Sequence, residues 1–500
     1  MSQENDVSKT LRDNNVVSGY GYKHDLKRSL KSFSLFAIAF SIVSISTGVF
    51  LNFGWGLNAF GPAMIWTWPI AAVGQIVMAL IIAELASKIP LAGYAYQWGS
   101  RLVHSTYGWF TGFLALLYMT ITGGAIILTG CAPLLLNSFG VSPSKQLVLS
   151  VAIILILSTI VINLISVQLA AKVNNGAVFA EIAGTVVFAV VILFAWGLRG
   201  SKSGQSFSFL TDSHGTLTGA GWYKFAIAGL IGIYTMVGFE LSADLTEEAI
   251  DSQKAVPKGI ILGLCTAAIL GMFSLIAFTV AIPDLGMIQK SGLPLVDIAS
   301  YWLPNVAVHI LTLLVAFSML ALVVVNQAAQ ARLLYSMARD NMLPFSNSFK
   351  KVNERTKTPL HSLVIGGIAS LGLMIYGYFQ SNTFATLIGS TAIAPYLVYL
   401  LIVLSYMNKR KKLASVSGGF NLGKWGFPLM IVGLVWVITA LLVLTLPAIF
   451  HGADRVVFGG LLIAFLWWIL VLRGRIHRKE AGVALFENTL DAVKSNLTNK

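Results

Sequence analysis

The chain has 500 residues, of which 34 are basic, 20 acidic and 56% hydrophobic, with a formal net charge of +14. Soluble domains carry about 25% charged residues, whereas this chain has 11% and a mean hydropathy of +0.78, which excludes a soluble enzyme or a fibre. A helix needs about 20 apolar residues to cross a bilayer, so the composition supplies about a dozen crossings.

Apolar windows fall in chain order at 33–60, 63–86, 107–135, 147–167, 175–197, 222–245, 257–282, 306–328, 360–379, 384–407, 425–450 and 456–472, predicting an all-α polytopic membrane protein of twelve spans. With the amino terminus inside, 28 of the 34 basic residues lie on the inner side, and six (Lys145, Arg199, Lys202, Lys224, Lys290 and Arg455) lie outside. That asymmetry satisfies the positive-inside rule, so both tails, 1–32 and 474–500, are expected in the cytoplasm of a cell with this protein in its plasma membrane. The basic residues sit between apolar windows and not on one patch, which speaks for topology and against nucleic acid as a partner. The polar amino terminus lacks a short apolar run with a cleavage site, so no cleaved signal peptide is expected. The sequon Asn496-Leu-Thr falls on the inner side, where it would not be used.

The loops leave no room for a soluble domain; the longest are the external stretch 199–221 and the basic internal stretch 339–358. Chemistry would therefore have to arise among the spans, and no HExxH, GxSxG or GxxxxGK[ST] pattern occurs. His104 and His309 stand alone, and Cys131 and Cys265 lie in apolar runs as packing residues. Neither an enzyme nor a resident metal or cofactor is expected, and without an ATP-binding motif the energy for any transport must come from a gradient or from exchange.

Two spans carry helix-breaking runs. Ser44-Ile45-Ser46-Thr47-Gly48 places three hydroxyls and a glycine inside the first, and Tyr234-Thr235-Met236-Val237-Gly238-Phe239-Glu240 interrupts the sixth. Five spans separate them, and five is odd. The segments 33–198 and 222–407 would thus cross in opposite senses as an inverted repeat, with 425–473 as two added helices. Broken helices at matched positions of such repeats mark a substrate site, because freed backbone groups and helix N-termini there can hold charge. Glu181 is the other informative residue. It stands nine residues beyond Lys172, about 14 Å along the helix and near the midplane, where an unpaired carboxylate is costly.

The segments ISTGVF (45–50), AELASKIPLAGYAYQW (83–98), YTMVGFELSADLTEEAIDSQKAVPKGI (234–260) and ARLLYSMARDNMLP (331–344) resemble the signature blocks of the amino acid-polyamine-organocation superfamily. The opening YKHDLKRSLKSFSLFAIAFSIVSISTG is similar to its amino acid/choline transporter branch. The resemblance implies a LeuT-type five-plus-five inverted repeat followed by two helices, working by alternating access around spans one and six. It also implies that the first break, Ser44 to Gly48, holds a substrate carboxylate through Ser46, Thr47 and Gly48, and that Tyr234 closes over the substrate as a gate. Met236, Gly238 and Glu240 belong to the second break, where Glu240 would meet a substrate ammonium or fix the inner end of span six. Several proton-coupled relatives carry a lysine at the position of Glu181, after a VNN motif found here at Val173-Asn174-Asn175. With the sign reversed, Glu181 would bind and release a coupling proton or supply negative charge for an amine; the resemblance leaves sodium open as the alternative driving ion.

Glu84, at the inner end of span two, is expected to organise an inner gate with Arg101 or Lys88. Asp244, Glu247 and Glu248 continue span six inward, and Arg332, Arg339 and Asp340 extend span eight, either as that gate or as a solvated face. The leading function is a secondary active transporter importing a small amino acid or related amine (GABA, choline, polyamine or amino acid), with proton symport as the expected coupling. An amino acid/amine exchanger is the alternative within transport, and a non-flux nutrient sensor or a channel the alternative outside it. A channel would show a continuous polar stripe along several spans, which is not present. The partners implied are the small-molecule substrate and the lipid bilayer, with no partner subunit.

Overall fold

A computed structural model describes residues 2–165, 167–199, 206–214, 221–414 and 419–486. Lys202, the sequon at Asn496 and much of the outer stretch 199–221 lie outside the described residues, as does the tail beyond 486. Among the described residues, twelve helical stretches are long and apolar enough to cross a membrane. In order they are Ser32–Phe60, Pro62–Lys88, Ser105–Ser138, Lys145–Ile165, Ala170–Leu198, Gly221–Glu248, Ser252–Val280, Asn305–Arg339, Leu360–Tyr378, Thr383–Leu413, Gly423–Thr445 and Ala448–His477, called spans one to twelve below. They coincide in number and order with the twelve apolar windows. The protein is an all-α polytopic membrane protein.

Burial sorts the spans into a centre and a rim. Spans one, two, three, six and ten bury 72–83% of their apolar windows inside the protein, whereas spans four, eleven and twelve bury only 17–28% and so offer their side chains to lipid. Span seven grips the inner half of span one through Gly259 and Gly263, four residues apart. A Cβ at Gly259 would stand 2.9 Å from the Leu35 carbonyl carbon, and one at Gly263 would stand 3.0 Å from Phe40 N. Small residues at this spacing let two membrane helices bring their backbones together.

Both expected interruptions are present, and their extents differ from expectation. In span one the break is confined to Ser44, at φ 30°, between the α-helices Ser32–Val43 and Ile45–Phe60. The residues Ile45 to Gly48 are already helical, because the Ser44 side chain accepts from Thr47 N and caps the new helix at once. In span six the chain leaves the α-helix at Thr235, passes Gly238 at φ 96°, and continues as a 3-10 helix over Phe239–Glu248. Span eight runs to Arg339, eleven residues past its expected end at 328, with Arg332 buried on the way.

The amino-terminal tail is not a free polar leader. Helix Ser2–Gly19 lies against the body, with Val16, Val17 and Tyr20 no more than 4% exposed. Asp13 accepts hydrogen bonds from Asp251 N at 2.8 Å and Ser252 Oγ at 3.0 Å, joining the tail to the turn between spans six and seven. A parallel bridge, Leu30 to Ala249, completes the seam: Leu30 N donates to Glu248 O, and Ile250 N to Leu30 O.

Candidate functional site: the paired breaks of spans one and six

The two breaks are packed into each other, and a glycine on each makes the approach possible. A Cβ on Gly48 would lie 2.1 Å from Thr235 Oγ1 and 2.5 Å from Thr235 Cβ; a Cβ on Gly238 would lie 2.3 Å from Ile42 Cγ2. Gly48 thus faces span six at the residue before its break, and Gly238 faces span one just before its own. Gly238 is also left-handed, which a side chain would strain. Because the Thr235 Cβ itself is in the way, no rotamer change relieves Gly48→Ala. That substitution is expected to cost about 1–3 kcal/mol by overpacking and to abolish uptake, with Thr235→Gly in the same chain restoring part of both. Thermal unfolding and uptake of the single and double variants check this; an active, unchanged Gly48→Ala would refute the contact.

Between the breaks is a cavity of only about 20 Å³, lined by Ser44, Thr47, Gly48, Tyr234, Gly238 and, from spans three and ten, Tyr118, Thr122 and Thr391. It has room for roughly one water molecule and not for an amino acid, so the structure is closed around the site. Of the residues expected to touch substrate, Ser44, Thr47, Gly48, Tyr234 and Gly238 converge here. Ile45 and Ser46 point the other way, into a second cavity of about 30 Å³ shared with Glu181, Thr185, Ser274 and Ser318. Met236 is fully buried elsewhere, and Glu240 lies behind the second break and does not line the cavity.

Glu181, 4% exposed, reaches from span five to the first break. Its Oε1 accepts three hydrogen bonds: from Ser46 N at 2.9 Å, Ser46 Oγ at 2.7 Å and Ser44 Oγ at 3.0 Å. Ser46 N belongs to the first turn of helix Ile45–Phe60, so the carboxylate sits at the positive end of that helix dipole. Ser44 Oγ also shares a 2.7 Å hydrogen bond with Thr47 Oγ1. Since Ser44 and Thr47 line the first cavity while Glu181 lines the second, one hydroxyl network connects the two.

Glu240 serves the second break. Its Oε2 accepts from Gly238 N at 3.0 Å and Tyr399 Oη at 2.7 Å, and its Oε1 from Tyr118 Oη at 3.2 Å. The carboxylate thereby holds the left-handed turn to spans three and ten. Its partners come from spans three, six and ten. Tyr118, Tyr399 and Thr391 had no signal in the sequence beyond being polar residues on apolar spans.

Two largely buried ion pairs join the ends of spans six and eight. Arg332 Nε donates to Glu248 Oε1 at 2.6 Å, and Arg339 donates to both oxygens of Glu247 at 3.0 and 3.1 Å. Glu247 Oε1 also accepts from Ala92 N, and Asp244 Oδ1 from Gly93 N at 2.9 Å, which ties span six to the bend after span two. Asp340 accepts from Tyr22, Tyr96 and Gln97; burial pushes its carboxyl up from the ordinary value, opposed by Arg339 and Arg101. Arg101 stacks on Tyr20 and Tyr22, its guanidinium carbon 4.8 and 5.2 Å from their ring centres. These side chains are held by one another and by backbone groups, and are not spread over a solvated face.

Glu84 is part of the same side but does not meet Arg101. It accepts hydrogen bonds from Tyr406 Oη of span ten and from Leu422 N, whereas Arg101 binds Gln97 Oε1 and the Tyr20 carbonyl. The sequence distance between residues 84 and 101 concealed that they face different neighbours. Tyr234, 7% exposed, lines the cavity between the breaks together with Thr391. Among the described residues, no three His, Cys, Asp or Glu side chains converge as a metal site would require.

Comparison with known proteins agrees with this architecture. Residues 30–472 match the family described as amino acid permease. The chain is 24% identical over 459 residues to the amino-acid permease BAT1 of Arabidopsis thaliana, covering 85% of this chain and 87% of that protein. It is 26% identical over 388 residues to the GABA-specific permease of Saccharomyces cerevisiae, covering 73% and 66% respectively. To a putative polyamine transporter of Candida albicans the identity is 25% over 492 residues, covering 92% and 88%. The family match takes in all twelve spans but the last turn, and on that ground the chain belongs to the amino acid permease family of the amino acid-polyamine-organocation superfamily.

Proposed function

We propose that the protein is a secondary active transporter that imports a small amino acid or related amine by alternating access, driven by protons that bind Glu181. The observation carrying this reading is the convergence of Ser44 Oγ, Ser46 N and Ser46 Oγ on one oxygen of Glu181, at a helix break whose other face lines the central cavity. Gain of a proton weakens the hold of that carboxylate on the three donors of the break, which links its charge to the shape of the substrate site. In this reading spans one to five and six to ten are inverted halves, and spans eleven and twelve flank them. Substrate carboxylate is taken by Thr47 and Gly48 with the Ser44 hydroxyl, Tyr234 closes from above, and the Arg332–Glu248 and Arg339–Glu247 pairs close from below. The basic asymmetry supports cytoplasmic termini in a plasma-membrane protein. The names of the relatives point to amino acids, GABA and polyamines as the substrate classes to test.

The test is a thermal-shift panel of amino acids, GABA, choline and polyamines on purified protein, followed by uptake of each stabilising compound into proteoliposomes. Expected are saturable uptake of at least one panel member, accumulation above equilibrium when the outside is acidic, and its collapse with a protonophore. Accumulation that follows a sodium gradient at constant pH would sink the proton reading. One-for-one exchange without net uptake would replace import by antiport.

A further inference from the structure

We propose that Asn174 holds the water through which the coupling proton leaves Glu181 toward the inner side of the membrane. The inference rests on the reading of Glu181 as the coupling group. Asn174 precedes Glu181 by seven residues on one continuous helix, Val167–Arg199. Seven residues are almost two full turns, so the two side chains share a face, with Asn174 about 10 Å nearer the inner surface.

Asn174 is 0% exposed. Neither its Oδ1 nor its Nδ2 has a hydrogen-bond partner in the protein, and the same holds for Oδ1 of its neighbour Asn175. Buried amide groups are nearly always paired, with water where protein supplies nothing. Asn175 Nδ2 in turn donates to Ser34 Oγ at 3.2 Å, at the inner start of span one. Ser318 Oγ, also without a protein partner, lines the cavity it shares with Glu181. Glu181 and Asn174 thus share one face of span five, and Asn175 beside Asn174 reaches Ser34 at the start of span one.

No ion pair competes for the proton. Lys172 lies on the same helix as Glu181; the packed elements carry Lys145 on span four, Lys254, Lys258 and Cys265 on span seven, His309, Arg332, Tyr335 and Arg339 on span eight, and Asp297 and Tyr301 on helix Pro294–Trp302. None pairs with Glu181, whose hydrogen-bond donors are the Ser44 and Ser46 groups. In the transfer, the O–H bond of the Glu181 carboxyl breaks, a water takes the proton, and the inner solution receives it. The Asn174 amide donates to one water and accepts from another, changing neither its bonds nor its charge. A neutral amide orders water without trapping the proton, as a carboxylate or imidazole there would.

Proton release inside is required for net uptake but not for exchange, in which the carrier returns with proton and substrate both bound. The experiment compares both modes in proteoliposomes for wild type, Asn174→Leu and Asn174→Ser, using the panel member with the largest wild-type uptake as probe. Asn174→Leu keeps the side-chain volume and removes the polar atoms. Net uptake by Asn174→Leu is expected to fall at least about tenfold, as for loss of a proton-transfer group, with exchange within about twofold of wild type and Asn174→Ser close to wild type in both. Equal loss of both modes in Asn174→Leu, or loss of neither, overturns the role of Asn174. Wild-type uptake that ignores the pH gradient overturns the proton reading of Glu181 first, and the two failures are read from different samples.

Discussion

Glu181→Gln is expected to convert a concentrating carrier into an equilibrating one. With one proton moved per substrate, each unit of pH gradient supports about tenfold accumulation, so two units give wild type about a hundredfold. The glutamine variant should reach a ratio near one at any gradient, while exchange continues. Glutamine is nearly isosteric, and its side-chain oxygen can still accept from Ser46 N, Ser46 Oγ and Ser44 Oγ, as Oε1 does now. The break keeps its donors occupied and the cavity keeps its shape; only the exchangeable proton is lost. Glu181→Ala should behave differently, since it strands those donors in a buried site at about 1–3 kcal/mol, and both exchange and thermal stability should fall. Accumulation ratio against pH gradient, measured for the three proteins side by side, checks this. A glutamine variant that still accumulates with the wild-type pH profile would remove Glu181 from coupling.

How much of this site could be read from the sequence follows from how local each cause is. The twelve spans were legible because each backbone must satisfy itself in hydrocarbon, which imposes a length and an apolar composition on every crossing. The breaks at Ser44 and Gly238 were legible for the same reason, as hydroxyls and glycine stand out in such a run. Glu181 showed itself by depth alone, as a carboxylate far from either membrane surface. The partners were not legible. Tyr118, Tyr399 and Tyr406 come from spans that are apolar on every side, so no amphipathic period tells which face turns inward. The bond of Tyr406 to Glu84, for which Arg101 or Lys88 was expected as partner, is such a case, set by how spans two and ten pack. The docking of the tail was not legible for a related reason: its charged residues look solvated one by one, yet Asp13 finds donors at Asp251 and Ser252, some 240 positions away.

Arg332→Ala should open the inner side, and its effect is expected to be the largest on the conformational equilibrium. The Arg332–Glu248 pair is almost wholly buried, with side chains 3% and 2% exposed, and it joins span eight to the inner end of span six. Removing one member of a buried pair leaves the other uncompensated at a cost of about 3–5 kcal/mol. That cost falls on the closed state alone, because opening admits water to Glu248. A difference of that size shifts the closed-to-open ratio more than a hundredfold. The reporter is a cysteine introduced by Leu245→Cys in a chain carrying Cys131→Ala and Cys265→Ala, since Leu245 is 4% exposed and lines the small cavity beside Arg332. Its alkylation should be slow with the pair intact, fast with Arg332→Ala, and slow again in the double exchange Arg332→Glu with Glu248→Arg. Uptake should fall in the alanine variant, as a carrier resting open to the inside seldom presents its site outward. Equal alkylation rates with and without Arg332 would show that the docked tail and the Arg339–Glu247 pair hold this side shut unaided, and that Arg332 is not part of the gate.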